Sequence, residues 1–210
     1  MSDDRGARKR RANGEESRRK ILDAAAEVAG ERGYDGTSIA QVSARCGLPA
    51  SSIYWHFKDK DELIAAVIER SFASWLSVFT LPGEAEGTPR ERVTDLAVRV
   101  GKALLETPDF LRLGLMLTLE RRPEEPSARR MFLRVREIAQ QKVMDVVTEF
   151  APELDEASAR LLAVYAMAAA DGFFIAKEIG GDGVDLIQLF ELHAKVLFHA
   201  MSHLIASQDT

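Results

Sequence analysis

Three residues, Gly47-Leu48-Pro49, constrain this chain more than any others. They lie between two short helix-periodic stretches and allow neither one continuous helix nor a strand. Glycine accepts the positive φ of a tight turn. Proline fixes φ and lacks an N–H, which suits the first turn of a new helix but not its interior. Before the turn, Ile39, Val42 and Ala44 or Arg45 recur at helical spacing, and Thr37 or Ser38 offers a capping hydroxyl. After it, Ile53 and Phe57 fall four apart on one face, with Tyr54 and His56 elsewhere. Leu48 is the apolar plug between them. Residues 37–57 therefore predict a helix-turn-helix whose second helix can enter a major groove.

The remainder reads as helix after helix. Residues 17–32 carry the stripe Ile21, Leu22, Ala25, Val28 and Ala29, and Tyr34 is expected to cover the small core. Asp59 is a plausible N-cap for a fourth helix, with Glu62 as its capping-box partner. That helix presents Leu63, Ile64, Val67, Ile68 and Phe72 and reaches about Phe79, long enough to join two parts. After a break over 81–89, helices are expected at 90–106, 109–120, 128–150, 156–177 and 184–205. Loops at 123–126, 152–155 and 180–183 separate the later ones. No strand pattern competes. The expectation is all-α with about nine helices: a disordered basic arm (1–16), a helix-turn-helix DNA-binding domain (17–58), a connecting helix (59–80) and a regulatory, ligand-binding and dimerisation domain (81–210).

Composition sets limits on partners. The net charge is −5, yet residues 1–20 hold eight Lys or Arg against four Asp or Glu. Residues 71–210 hold fifteen against twenty-one. A polyanion should meet the N-terminal end. Arg8-Lys9-Arg10-Arg11 is either a solvated tail or an arm for phosphates that orders on binding. Arg18, Arg19 and Lys20 begin a helix, where the dipole disfavours them, and a nearby phosphate backbone would offset that conflict. No run of 18 uncharged apolar residues occurs, so a membrane span and a secretory leader are not expected, and a cytoplasmic location is. The single Cys46 excludes an internal disulfide.

Residues 161–176 are the most apolar stretch, with Asp171 the only charge and many small residues. With the last helix they suggest a four-helix interface between two copies, drawing on Leu162, Ala166, Ala169, Phe190, Val196 and Leu197. Completion of a monomeric bundle is the alternative.

The segments Ile21-Leu22-Asp23-Ala24-Ala25, residues 33–39 (GYDGTSI), Ile53-Tyr54-Trp55-His56-Phe57 and Lys60-Asp61-Glu62-Leu63 resemble, in order and spacing, the tetracycline-repressor (TetR) family of transcription regulators. The resemblance covers residues 17–70. Beyond them it rests on length, helicity and Asp171-Gly172-Phe173. It implies a homodimer with a DNA-binding head and a helical domain that often binds a small molecule. It places Thr37 and Lys60 at phosphates, Pro49, Ala50, Ser51 and Ser52 at the start of the recognition helix, and Tyr54 and His56 at phosphate or bases. Arg18 and, at the groove edge, Arg45 join this set. Residues 49–57 contain no Lys, Arg, Asn or Gln, which departs from bidentate base reading. Trp55 is read as packing. The resemblance also implies a cavity, for which Phe110, Met116, Met131, Phe132, Met144, Tyr165, Met167 and Phe173 are candidates, with the same residues equally able to be core. An apolar or aromatic effector that releases a repressor from a palindromic operator is the expected function.

Other readings are narrower. His199 and His203 share a face, but no carboxylate or cysteine completes a metal set, so no metal or cofactor is expected. No nucleophile–base pair, phosphate loop or HExxH points to an enzyme. A helical DNA-binding regulator controlled by a protein partner is the remaining rival.

Overall fold

The computed structural model describes residues 3–79, 87–120 and 124–208, with side chains from residue 12 onward. The described residues are all-α: α1 (Asp3–Arg32), α2 (Ile39–Cys46), α3 (Ala50–His56), α4 (Lys60–Leu76), α5 (Pro89–Glu106), α6 (Asp109–Leu119), α7 (Ser127–Phe150), α8 (Glu156–Gly180) and α9 (Leu186–Gln208). Single 3-10 turns, Ser77–Phe79 and Gly181–Gly183, follow α4 and α8. The expected break at 81–89 falls largely outside the described residues, as do the side chains of the Arg8–Arg11 run; residues 124–126 are non-helical, as expected.

One expectation is corrected at once. Residues 3–16, read as a disordered arm, continue the backbone of α1. Their composition lacks an apolar stripe, but Arg, Lys, Ala and Glu are good helix formers. The Lys20–Glu16 pair at 2.9 Å shows the i,i+4 spacing that supports such a solvated helix.

The chain divides into two compact units. The first comprises residues 1–71 and 109–133, so it takes in α6 and the start of α7 beside the helix-turn-helix. Ile21, Leu22, Val28, Val42, Ile53 and Phe57 are buried there, as are Leu63, Ile64 and Ile68 of α4. Ser38 caps α2 through a full capping box with Gln41, and Gly47 ends it at φ 70°. That left-handed position is strained for any residue with a Cβ. Pro49 stands one residue before α3, as its N-cap.

Phe110, Leu113 and Leu117 of α6 are also buried in this unit. Gly114 lies against Phe132, and a Cβ there would collide with the ring. Gly114→Ala should therefore destabilise the protein by about 1–2 kcal/mol, the overpacking cost exceeding alanine's helix preference. Denaturant midpoints would show this, and Phe132→Leu in the same chain should recover part of the loss.

The second unit comprises residues 72–108 and 134–210. Here α9 packs on α5 and α8, and Val147, Ala151, Ala159, Leu162 and Met201 form a core cluster. Thr88 caps α5 in a capping box with Glu91, and Asp155 caps α8. Arg136 of α7 holds Asp171 of α8 in a fork of 2.9 and 2.7 Å. Burial pushes the Asp171 carboxyl up, and the Arg136 charge works against that rise. Trp75 stacks on Phe72 and meets Phe79 edge-on.

This unit corrects the expected interface between copies. Leu162 belongs to the unit's own core. Phe190 is buried over Gly101. Leu197 packs against the core cluster, Ala166 and Ala169 are half-buried, and only Val196 of the six is exposed. The exposed apolar stripe lies one step round the helices. Leu161, Val164, Tyr165, Ile175 and Ile179 carry it on α8, and Leu192 and Val196 on α9. The stretch Glu156–Gly183 is long and apolar enough to cross a membrane, and 28% of its most apolar window is buried. Part of its apolar surface is thus uncovered.

Candidate nucleic-acid interface

The exposed face of α3 follows from what its other face buries. Ile53 is fully buried and Phe57, just past the helix end, nearly so. At 100° per residue this turns Ser51, Tyr54 and Trp55 outward. Tyr54 is 57% exposed and Trp55 77%. Pro49 is exposed as well, while Ala50, Ser52 and His56 are half-buried.

The N-terminal half of α1 runs beside this face. Asn13, Gly14, Ser17, Ser51, Ser52, Trp55 and His56 line a surface groove of about 380 Å³. The Arg18 guanidinium lies 5.4 Å from the centre of the Phe57 ring. Burial and the Arg18 charge hold the His56 pKa below its ordinary value. Asn13, Ser17 and Trp55 are members of this surface that the sequence did not announce. Trp55 was expected to pack; its ring instead meets only the edge of His56, 4.5 Å away, and the Gly14 backbone side.

Three expected contact residues are committed elsewhere. Thr37 is 2% exposed and donates its hydroxyl to the Gly33 carbonyl at 2.7 Å, so its side chain does not face outward. Arg45 is gripped by α1. Its guanidinium donates to Glu27 at 2.9 Å and to both oxygens of Glu31 at 3.0 and 2.9 Å. These carboxylates raise the Arg45 pKa further, so its charge is permanent but already answered. The Lys60 ammonium donates to the Tyr34 carbonyl at 3.0 Å and lies 4.4 Å from the centre of that ring. Charge and spacing identified these side chains; their intramolecular partners, up to 26 residues away, did not show in the local pattern.

The ligand candidates are divided between the two units. Phe110, Met116, Met131 and Phe132 fall in the first unit and Met144, Tyr165, Met167 and Phe173 in the second. Phe110 and Phe132 are buried, the Met116 methyl lies over Gly33, and Tyr165 is exposed. Phe173 packs edge-on against Phe190 and His193. Met144 joins Glu137, Gln140, Asp145 and Arg160 in an open groove of about 660 Å³ that is mostly polar. His199 and His203 are exposed, and no group of three metal-ligating side chains occurs among the described residues.

Comparison with known proteins identifies the head. Residues 21–67 match the family model of bacterial regulatory proteins, tetR family. The HTH-type transcriptional regulator AcrR of Shigella flexneri is 37% identical over 65 residues, which is 31% of this chain and 30% of that one. An HTH-type transcriptional repressor of Mycobacterium tuberculosis is 30% identical over 103 residues, 49% of this chain and 39% of its own. The matches thus span between 30% and 39% of these relatives' length. Among solved structures, the transcriptional regulator FadR of Bacillus subtilis in complex with stearoyl-CoA superposes with a TM-score of 0.70 at 17% identity, covering 85% of this chain and 96% of that one. At that identity the likeness speaks for the fold. Residues 21–67 thus form an N-terminal domain of the kind found in the tetR family of bacterial regulatory proteins.

Proposed function

We propose that the protein is a homodimeric, ligand-responsive transcriptional repressor that reads an inverted-repeat DNA site. The observation that carries this reading is the outward face of α3, where Pro49, Ser51, Tyr54 and Trp55 stand clear of the core beside the positively charged start of α1. Two such helices related by a two-fold axis would occupy successive major grooves about 34–36 Å apart. This surface carries no long bidentate side chain. Base reading then rests on Ser51 and Ser52 hydroxyls, the Tyr54 phenol, and apolar contact of the Tyr54 and Trp55 rings with thymine methyls. DNA shape adds to it. The uncovered stripe of α8 and α9 supports the dimer, being the contiguous apolar surface that a second copy would cover.

The effector is of apolar or aromatic class. FadR binds stearoyl-CoA on the same fold, which supports a guest with a long hydrocarbon part. Such a ligand acts only through a difference in affinity between the DNA-competent and DNA-free states.

Selection of duplexes from a random pool by the purified protein tests the DNA reading. The expected product is an inverted repeat with half-sites one helical turn apart or a multiple of it. Tyr54→Ala should then weaken binding at least about tenfold, the loss of one good base contact. Failure to enrich any duplex at low salt, where phosphate attraction is strongest, would refute the reading. Stearoyl-CoA added to the selected complex tests the effector class; retention of the complex at saturating ligand counts against that ligand class.

A further inference from the structure

α7 has no capping side chain of its own. Pro126 stands before its first residue and accepts the first intrahelical bond, from the Arg130 N–H at 3.2 Å. A proline side chain offers no oxygen to the free amides of the first turn. Helices α2, α5 and α8 are capped by the residue next to them, Ser38, Thr88 and Asp155. The oxygens at α7 come instead from Asp61, 66 residues earlier, in the first turn of α4.

The Asp61 carboxylate is fully engaged. One oxygen accepts the Ser127 N–H at 2.6 Å and the Ser127 hydroxyl. The other accepts the Ala128 N–H at 3.0 Å and the Tyr34 phenol at 3.1 Å. Tyr34 lies between α1 and α2, and its carbonyl and ring hold Lys60. Burial alone would raise the Asp61 carboxyl, but the bonds from Ser127, Ala128 and Tyr34 together outweigh it and hold it below the ordinary carboxylate range. A negative charge is favoured at a helix N-terminus, so the bond network and the dipole act together. One carboxylate thus joins α4, α7 and the entrance to the helix-turn-helix. α7 is also a single helix whose later residues, from 134 onward, belong to the second unit.

We propose that Asp61 is a positioning residue for duplex recognition: as the N-cap of α7, supplied from α4, it sets the helix-turn-helix in register with that helix. The proposal rests on the DNA-binding reading and goes beyond it by naming the residue through which α7 reaches the head. A shift of α7 along its axis must either carry Asp61 and Tyr34 with it or break the cap.

A rescue experiment separates this role from plain helix capping. Asp61→Ala removes both the cap and the tie. Asp61→Ala with Pro126→Asp returns a local N-cap to α7 but leaves the tie broken. Both are compared with the wild type, and with Pro126→Asp alone, in duplex affinity, thermal midpoint and amide hydrogen exchange of the full chain. The double variant should regain the wild-type midpoint, still bind the selected duplex about tenfold more weakly, and still show faster exchange over residues 34–38. If it regains affinity and protection together with stability, Asp61 is only a cap and the proposal falls. It falls also if Asp61→Ala changes neither. Should the wild type bind no duplex, the DNA reading fails by itself, and exchange over residues 34–38 still decides whether Asp61 ties α7 to the head.

Discussion

Between pH 6.5 and pH 4 the protein should lose roughly 3 kcal/mol of stability through one side chain, His193. This imidazole is 6% exposed, and its Nε2 has no hydrogen-bond partner among the described residues. The Phe173 and Tyr165 rings of α8 face it, with centroids 5.3 and 5.6 Å away. Burial pushes its pKa down from 6.5 to about 4. The unfolded chain takes up the proton near 6.5, whereas the folded chain withholds it until about 4. Below 6.5 the unfolded state therefore binds more protons, and stability falls as the pH falls. About 2 kcal/mol should be gone by pH 5. Denaturant midpoints at fixed protein concentration, at pH 7 and pH 5, measure it. His193→Leu should abolish this part of the pH dependence and cost little at pH 7, since it removes an unsatisfied buried nitrogen. An unchanged pH profile in His193→Leu would show that another group titrates.

If two copies pair through the apolar stripe, as proposed, a charge introduced there should separate them. Leu192→Glu or Val164→Glu would put an uncompensated carboxylate into a dry contact, at a cost of about 3–5 kcal/mol. That is a weakening of two to three powers of ten or more in the dimer constant. Sedimentation at micromolar concentration should change from dimer to monomer while helicity stays the same, and affinity for the full inverted repeat should drop with it. Leu162→Ala provides the contrast. It lies in the core cluster, so it should lower stability by about 2–5 kcal/mol, with folding rather than subunit contact as what is lost. If Leu192→Glu and Val164→Glu both remain dimeric, the contact lies on another surface.

The two mutants mark what the sequence could and could not express. Apolar periodicity placed α8 and α9 within a few residues of their observed bounds, and the excess of apolar residues announced an uncovered face. It did not say which side of each helix that face occupies. Leu162 and Leu161 are equally apolar, and only the packing of Val147 and Met201 decides which is inside. The head was more legible because its turn chemistry is local: Ser38, Gly47 and Pro49 act within a few residues of themselves. Arg45, Thr37 and Lys60 have intramolecular partners that the local pattern did not show, because those partners come from α1 and the α1–α2 connection. The reach of Asp61 to Ser127 had no local trace at all. Even so, Pro126 immediately before a helix start, at a position where its side chain offers no oxygen, was a hint that the cap must come from elsewhere.

The chain holds two tryptophans, and the fold has given them opposite surroundings. Trp75 is enclosed between Phe72 and Phe79, whereas Trp55 stands in solvent on the outward face of α3, the face proposed to meet DNA. Red-edge emission and quenching by iodide should thus originate almost wholly from Trp55. A duplex seated on α3 would blue-shift and shield that signal while the Trp75 emission stays as an internal standard, which gives the protein an optical reporter of its own occupancy without any label.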